Sequence, residues 1–332
     1  ALLFGGMGYW PPFPASWQAA AEVVLGDEAR YLAEADLYIL TPQMCDVVIA
    51  AAQSLAREDL ELLDEDDLPG LTGLIVLPHP VIVRAIDGEL GDLRAFSWRF
   101  PSPLVQPSAD GRTMEDTPAV RVSSYHDSHG PIRPAAFLDF AARARAQGTP
   151  LPPLLLDAIR CLPLRYTATP DQVRALEEFV AVAQHAGDAA RQPSAVLGVA
   201  ADEVVGEYTP GSEIDDRDDS FMLLFLYAFW RLCEQRIAAV DHAEINHSAK
   251  VVAERAGVSP EVRIVQLRRT EQPGDPSQAT HNWQHRWVVR MHKVHQWYPT
   301  LQQHKVIYRG PYIKGPDDKP LLGREIIRGL TR

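Results

Sequence analysis

The chain has only three cysteines, Cys45, Cys161 and Cys233, set far apart and forming no Cys-x-x-Cys pair. Their scarcity excludes a disulfide framework and a structural zinc ribbon, and it points to a reducing compartment, the cytoplasm. Long apolar runs are also missing. The longest, Phe221–Trp230, falls far short of the roughly 20 residues that span a bilayer, so no membrane partner is expected. The opening ALLFGGMGYWPPFP lacks a basic n-region and a recognisable cleavage site, and is not read as a signal peptide. No Gly-x-Gly-x-x-Gly, P-loop, Gly-x-Ser-x-Gly, His-Glu-x-x-His or EF-hand pattern occurs. Nucleotide-loop, serine-hydrolase and metalloprotease readings therefore lack support. No cofactor is expected, no metal is assigned, and no motif names a catalytic residue.

Positive charge is scarce over most of the chain. The net charge is −12, yet from Val262 onward 13 Lys and Arg stand against 5 Asp and Glu, and five of the 11 histidines lie there as well. Such asymmetry suggests an anionic partner for the basic end, with neutralisation by the acidic body as the alternative.

The most chemically loaded stretch is His281–Pro316. Successive strand residues point to opposite faces. From Arg286, one face reads Arg286, Val288, Arg290, His292; the other reads Trp287, Val289, Met291, then Lys293 and His295. Tyr298-Pro299-Thr300 signals a turn, and a second strand is expected from about His304 to Arg309. The expected product is an antiparallel pair that gathers cations beside aromatic rings. Candidate nucleic-acid-binding residues are Arg286, Arg290, His292, Trp297, Tyr298, Lys305, Tyr308, Arg309 and Lys314. The cations would hold phosphates while the rings stack bases. A second reading makes His292, with Arg290, the centre of a metal-independent, ribonuclease-like phosphodiesterase. A third makes Trp297, Tyr298 and Tyr312 anchors for a protein partner or a homo-oligomer. Whether the chain is an enzyme stays open at this point.

Arg286-Trp287, Val289-Arg290, His292, Gln296-Trp297-Tyr298-Pro299 and Pro311-Tyr312-Ile313-Lys314-Gly315-Pro316 resemble the closing module of a family of uncharacterised proteins in actinobacteria and their phages and plasmids. The resemblance covers roughly the last fifth of the chain. It carries no activity across and implies a bacterial or phage mobile-element setting.

The remainder reads as an acidic, mainly helical body. Helices are expected from about Ala15 to Leu25, Thr41 to Leu55, Pro134 to Gln147, Thr169 to His185 and Ser220 to Val240, the last apolar nearly all round and so buried. The acidic run Glu58–Asp67 reads as a solvated boundary. Strands are expected at Leu71–Leu77, Val81–Ile86, Leu93–Phe100 and Ala119–Ser124. Tyr125-His126-Asp127-Ser128-His129 reads as a polar surface loop, with a metal site as the weaker alternative. The acidic run Asp215–Asp219 suits the start of the following helix. Lys250–Pro260 reads either as the first half of a helix-turn-helix or as a helix end leading into a strand. The expected fold class is α+β: a body over 1–258, mostly helical with a β region at about 71–124, followed by a basic antiparallel β module over 259–332.

Overall fold

The computed structural model describes residues 17–85, 90–130, 132–133, 135–164, 168–178, 203–204, 213–216, 220–234, 238–267, 284–289, 292–298, 303–309, 312–316 and 319–322. In chain order these form α1 (Trp17–Glu34), β1 (Asp36–Leu40), α2 (Pro42–Ala52), two short 3-10 turns (Arg57–Leu62 and Glu65–Asp67), β2 (Thr72–Ala85), β3 (Leu90–Pro107), β4 (Met114–Asp127), β5 (Ile132–Arg133), α3 (Ala135–Ala146) and β6 (Leu154–Pro163). They continue with helix α4 (170–178), β7 (Glu203–Val204), β8 (Ile214–Asp216), α5 (Phe221–Cys233), β9 (Ala238–Ala243), α6 (His247–Arg255), β10 (Val262–Leu267), β11 (Arg286–Val289), β12 (His292–Tyr298), β13 (Gln303–Arg309), β14 (Tyr312–Lys314) and β15 (Leu321–Leu322).

The body is not mostly helical, and the β region is not an insertion. An eight-stranded mixed sheet organises the molecule, in the order β6-β4-β3-β2-β1-β10-β9, with β8 pairing β2. Strand β1 runs parallel to both β2 and β10, while β3, β4, β6 and β9 join antiparallel. The helical expectation failed because several strands hide in unpromising sequence. Strand β1 is five residues long between two helices. The sequence of β6 lies in a proline-rich stretch, and β9 reads Ala-Ala-Val-Asp-His-Ala, poor in β-formers. The long apolar helix ends at Cys233, and Ala238–Val240 already belongs to β9.

The core lies on one face of the sheet. Thr41 precedes α2 and Pro42 opens it, since proline has no N–H to lose there. Helix α5 is apolar all round because it is enclosed all round: it packs on α2 and on Tyr38, Ile75, Phe96, Trp98 and Val122 of the strands. Aromatic contacts pin it, with Trp98–Trp230 ring centroids 5.9 Å apart, Tyr38–Phe229 5.7 Å and Phe96–Phe225 4.7 Å. Asp216 supports the helix start, as its Oδ1 accepts from Ser220 N and Phe221 N, each at 2.9 Å. The acidic 3-10 turn closes the other end: Asp67 is buried and pairs with Arg231 of α5. The acidic run is therefore partly core, not wholly solvated.

Helix α6 is capped by Asn246 and terminated at Gly257, whose φ of 69° costs glycine nothing. The chain then enters β10, not a second helix, so the helix-turn-helix alternative falls. That strand joins the central sheet beside β1. No helix among the described residues is long and apolar enough to cross a membrane.

Candidate functional site

Sequence reasoning expected one strand running from Arg286 to His295. Instead, β11 and β12 belong to different sheets. Strand β11 pairs antiparallel with β14 and parallel with β15. Within it, Arg286 plays a structural part. Its Nε donates to the Lys319 carbonyl at 2.8 Å and its backbone N to the Pro320 carbonyl at 2.8 Å. Gly315, just after β14, also comes close to the start of β11, where a Cβ would sit 2.6 Å from the His285 carbonyl oxygen. Lys314 is exposed and lies opposite Trp287. Arg290 lies outside the described residues.

Strands β12 and β13 form a separate antiparallel ribbon. Its register sets His292 opposite Arg309, Lys293 opposite Tyr308, Gln296 opposite Lys305, Trp297 opposite His304 and Tyr298 opposite Gln303. Directly opposed residues share a face, and neighbours along a strand alternate. His292, Gln296, Tyr298, Gln303, Lys305 and Arg309 therefore occupy positions on one face. Trp297 and Tyr308 occupy positions on the other, with Lys293, His295 and His304. The register thus sets His292, Lys305 and Arg309 at positions of one parity, with Tyr298, Val294 and Ile307, and leaves Trp297 and Tyr308 at positions of the other parity beside Lys293, His295 and His304. Arg286 and Lys314 belong to the neighbouring small sheet. Trp297 is 41% exposed.

Two polar clusters in the central sheet escaped sequence reasoning. The first surrounds His126, in the segment read as a surface loop; Tyr125–Asp127 are in fact part of β4. His126 Nδ1 lies 3.3 Å from Asp92 Oδ1 and 3.1 Å from the Asp92 carbonyl oxygen. Its Nε2 lies 3.0 Å from Asp157 Oδ1, and Ser124 Oγ donates to Asp157 Oδ2 at 2.7 Å. Register shifts on both sides of β4 leave Arg94 and Asp157 as extra residues in their strands. Bulges re-aim side chains in this way: Asp157 meets His126, and Arg94 Nε lies 3.6 Å from Asp127.

Burial alone would lower the His126 pKa, but the hydrogen bonds to Asp157 and Asp92 and the charge of Asp157 push it up to about 10. Burial likewise works against the Asp157 carboxylate, yet the bond to His126 and its charge hold that group below the usual carboxylate range. An imidazole kept protonated by two carboxylates is neither a general base nor a metal ligand at neutral pH. It is a clasp across β3, β4 and β6. The scattered residues gave no linear signal for it beyond the paired His126 and Asp127.

The second cluster fastens α1. Glu28, buried on that helix, accepts from Arg121 Nη2 at 2.6 Å, from Ser97 Oγ at 3.2 Å and from the Tyr125 hydroxyl. Burial, followed by the nearby Glu28 charge, pushes the Tyr125 pKa up. The Arg99 and Arg121 guanidinium carbons lie 4.0 and 4.9 Å from the Tyr31 ring centre. Among the described residues, the apolar part of this contact sets Val24 against Ile159 and Leu156, beside the charged and hydrogen-bonded cluster around Glu28.

Beyond α1, the same sheet face carries two aliphatic rows. Leu74, Leu37 and Val262 are aligned across β2, β1 and β10, as are Val76, Ile39 and Ile264. None of the six is buried, and Ile39 is 38% exposed. The other five are half-buried among the described residues; apolar rows left partly open to solvent are where association sites arise.

Comparison with family models, curated proteins and solved structures finds no match for this chain.

Proposed function

We propose that the protein binds nucleic acid through the β12–β13 ribbon. The observation that supports this reading is the ribbon's register, which sets His292 opposite Arg309 and Gln296 opposite Lys305. Three groups able to carry positive charge thus fall on one face of a short two-stranded element. Two-stranded β-ribbons are a known way for proteins to enter a nucleic-acid groove. The excess of Lys and Arg after Val262 against an acidic body would orient the ribbon towards a polyanion and turn the body away from it. The setting proposed is the cytoplasm of a bacterium that carries a phage or plasmid, where Cys45, Cys161 and Cys233, unpaired in the fold, stay reduced.

The test is binding of the full chain to labelled nucleic acid across a salt series. Phosphate contacts make log affinity fall linearly with log salt. The charge reversal Lys305→Glu with Arg309→Glu should abolish binding and leave the thermal melt unchanged. Absence of binding at low salt would remove the reading.

A second reading, self-association, is favoured by the aligned rows of Leu37, Ile39, Leu74, Val76, Val262 and Ile264, none of them fully buried among the described residues. Light scattering that returns the monomer mass at all concentrations would remove it.

A further inference from the structure

Resting on the self-association reading above, we infer that the aliphatic rows of the central sheet are covered by helix α6 of a second copy of this chain. The rows lie where the sheet is parallel: β1 runs parallel to β2 on one side and to β10 on the other. Parallel strands are normally packed on both faces. Here α2 and α5 pack on one face. On the other, Leu37, Leu74, Val76, Val262 and Ile264 are half-buried and Ile39 is 38% exposed. A further helix is what such a face is shaped to take.

Helix α6 is the complementary half. It is 9 residues long and capped by Asn246, with Gly257 just past its end, yet none of its residues is buried. A helix this short is marginal in water unless an apolar side of it is packed. That side exists: Ala249, Val252, Ala253 and Ala256 recur at the spacing of one helical face, and Val252 is 65% exposed. Lys250 and Arg255 flank this face, each about 110° from its centre, while Glu254 falls on the far side. The rows end in a group of opposite charge. Asp241 of β9 lies opposite Ile264, is exposed, and continues the row Val76–Ile39–Ile264; Gln266, which donates to it, is neutral. The sizes agree. Helix α6 is roughly 14 Å long, and three strands about 4.8 Å apart present a width of the same order. With no buried residue, α6 is not packed on the rows of its own chain. A two-fold pairing is isologous, so each copy gives its helix and receives its partner's.

The experiment is a charge exchange on the full chain, read by light scattering. The unaltered chain should give the mass of two copies. Ile39→Lys and Val252→Asp should each alone give the mass of one, because each sets an unpartnered charge against an apolar surface. Mixed in equal amounts, the two variants should return to the mass of two. In the mixed pair the lysine of one copy meets the aspartate of the other, and the second helix–sheet contact is unaltered. Thermal melts of the single variants should match that of the unaltered chain. Where one variant fails to fold, the reversed exchange, Ile39→Asp with Val252→Lys, decides in its place. A Val252→Asp chain that keeps the mass of two overturns the inference and leaves self-association standing, through contacts other than α6. A mixture that stays at the mass of one overturns it as well. An unaltered chain at the mass of one at every concentration overturns the self-association reading itself.

Discussion

His126 Nε2 stands 3.0 Å from Asp157 Oδ1 on one neighbouring strand, and its Nδ1 stands 3.3 Å from Asp92 Oδ1 on the other. One imidazolium thus ties three strands together. The consequence for stability has a definite sign. The folded pKa of about 10 lies above the roughly 6.5 of an unfolded histidine. Protonation therefore favours the fold, fully below about 6.5 and progressively less as pH rises through about 10. Asp157 behaves oppositely: its depressed pKa contributes stability above the ordinary carboxylate range, lost as pH falls through the folded value. The urea midpoint should decline from neutrality towards pH 10, and His126→Asn should flatten that decline. At pH 7, His126→Ala should cost roughly 3 kcal/mol, because Asp92 is left buried without its cation. An unaltered alkaline slope in the Asn variant would refute the clasp.

The Glu28–Arg121 pair makes a second prediction, about α1. Both side chains are almost fully buried, so removing one partner strands the other. Arg121→Met should destabilise the fold by about 3–5 kcal/mol. Because Glu28 belongs to α1 and Arg121 to β4, the loss should concentrate in that helix. Hydrogen exchange in α1 should accelerate in the Glu28→Gln chain while α5, enclosed on all sides, keeps its protection. Uniform acceleration across both helices would show that α1 is not separately held.

The ease of reading each element follows from where its information resides. Helix α5 was legible because ten consecutive apolar residues, Phe221–Trp230, have few alternatives. Helix α2 was legible because Thr41-Pro42 announces its start. Strands β2, β3 and β4 were legible in part, each shorter in prospect than in fact. Strands β1, β6 and β9 were not legible, since a short strand is specified by its neighbours and not by its own composition. Sheet order is long-range information of the same kind: nothing in Val262–Leu267 says that it pairs with Leu37–Leu40. At the C-terminus, alternation foresaw an antiparallel pair, expected between a strand over Arg286–His295 and one over about His304–Arg309, where His292–Tyr298 in fact pairs with Gln303–Arg309. It missed the break after Val289, and with it the separation of Arg286 and Lys314 from the ribbon. The His126 clasp was illegible for a physical reason. A bulge in β6 brings Asp157 to its place, and bulges are invisible to a strict period of two.

Two glycines should respond in opposite directions to the same substitution. Gly73 lies beneath Trp98, and a Cβ there would come within 2.2 Å of the indole ring. That ring is fully buried and contacts Tyr38, Phe229 and Trp230, so it has little room to yield. Gly73→Ala should cost about 2 kcal/mol or more through overpacking. Gly26 sits inside α1 with nothing within 4 Å of its would-be Cβ, and Gly26→Ala should stabilise by about 0.5–1 kcal/mol through helix propensity. Denaturant midpoints moving in the same direction would contradict the packing described for one of the two sites.

Ile39 offers the sharpest probe of this sheet face, because its neighbours in β1 and its own side chain have opposite fates. Its neighbours Tyr38 and Leu40 are buried against α5 and α2, while Ile39 points away at 38% exposure. A charge placed there is solvated in the single chain, so Ile39→Lys should change stability by under about 0.5 kcal/mol. In a self-associated form the same lysine would lie between Val76 and Ile264, its direct neighbours on β2 and β10, and would have to lose its hydration without a partner. On the self-association reading, Ile39→Lys should therefore lower the mass measured by light scattering to that of one chain while the melting temperature holds. A wild-type oligomer whose mass survives the substitution must be built on some other surface.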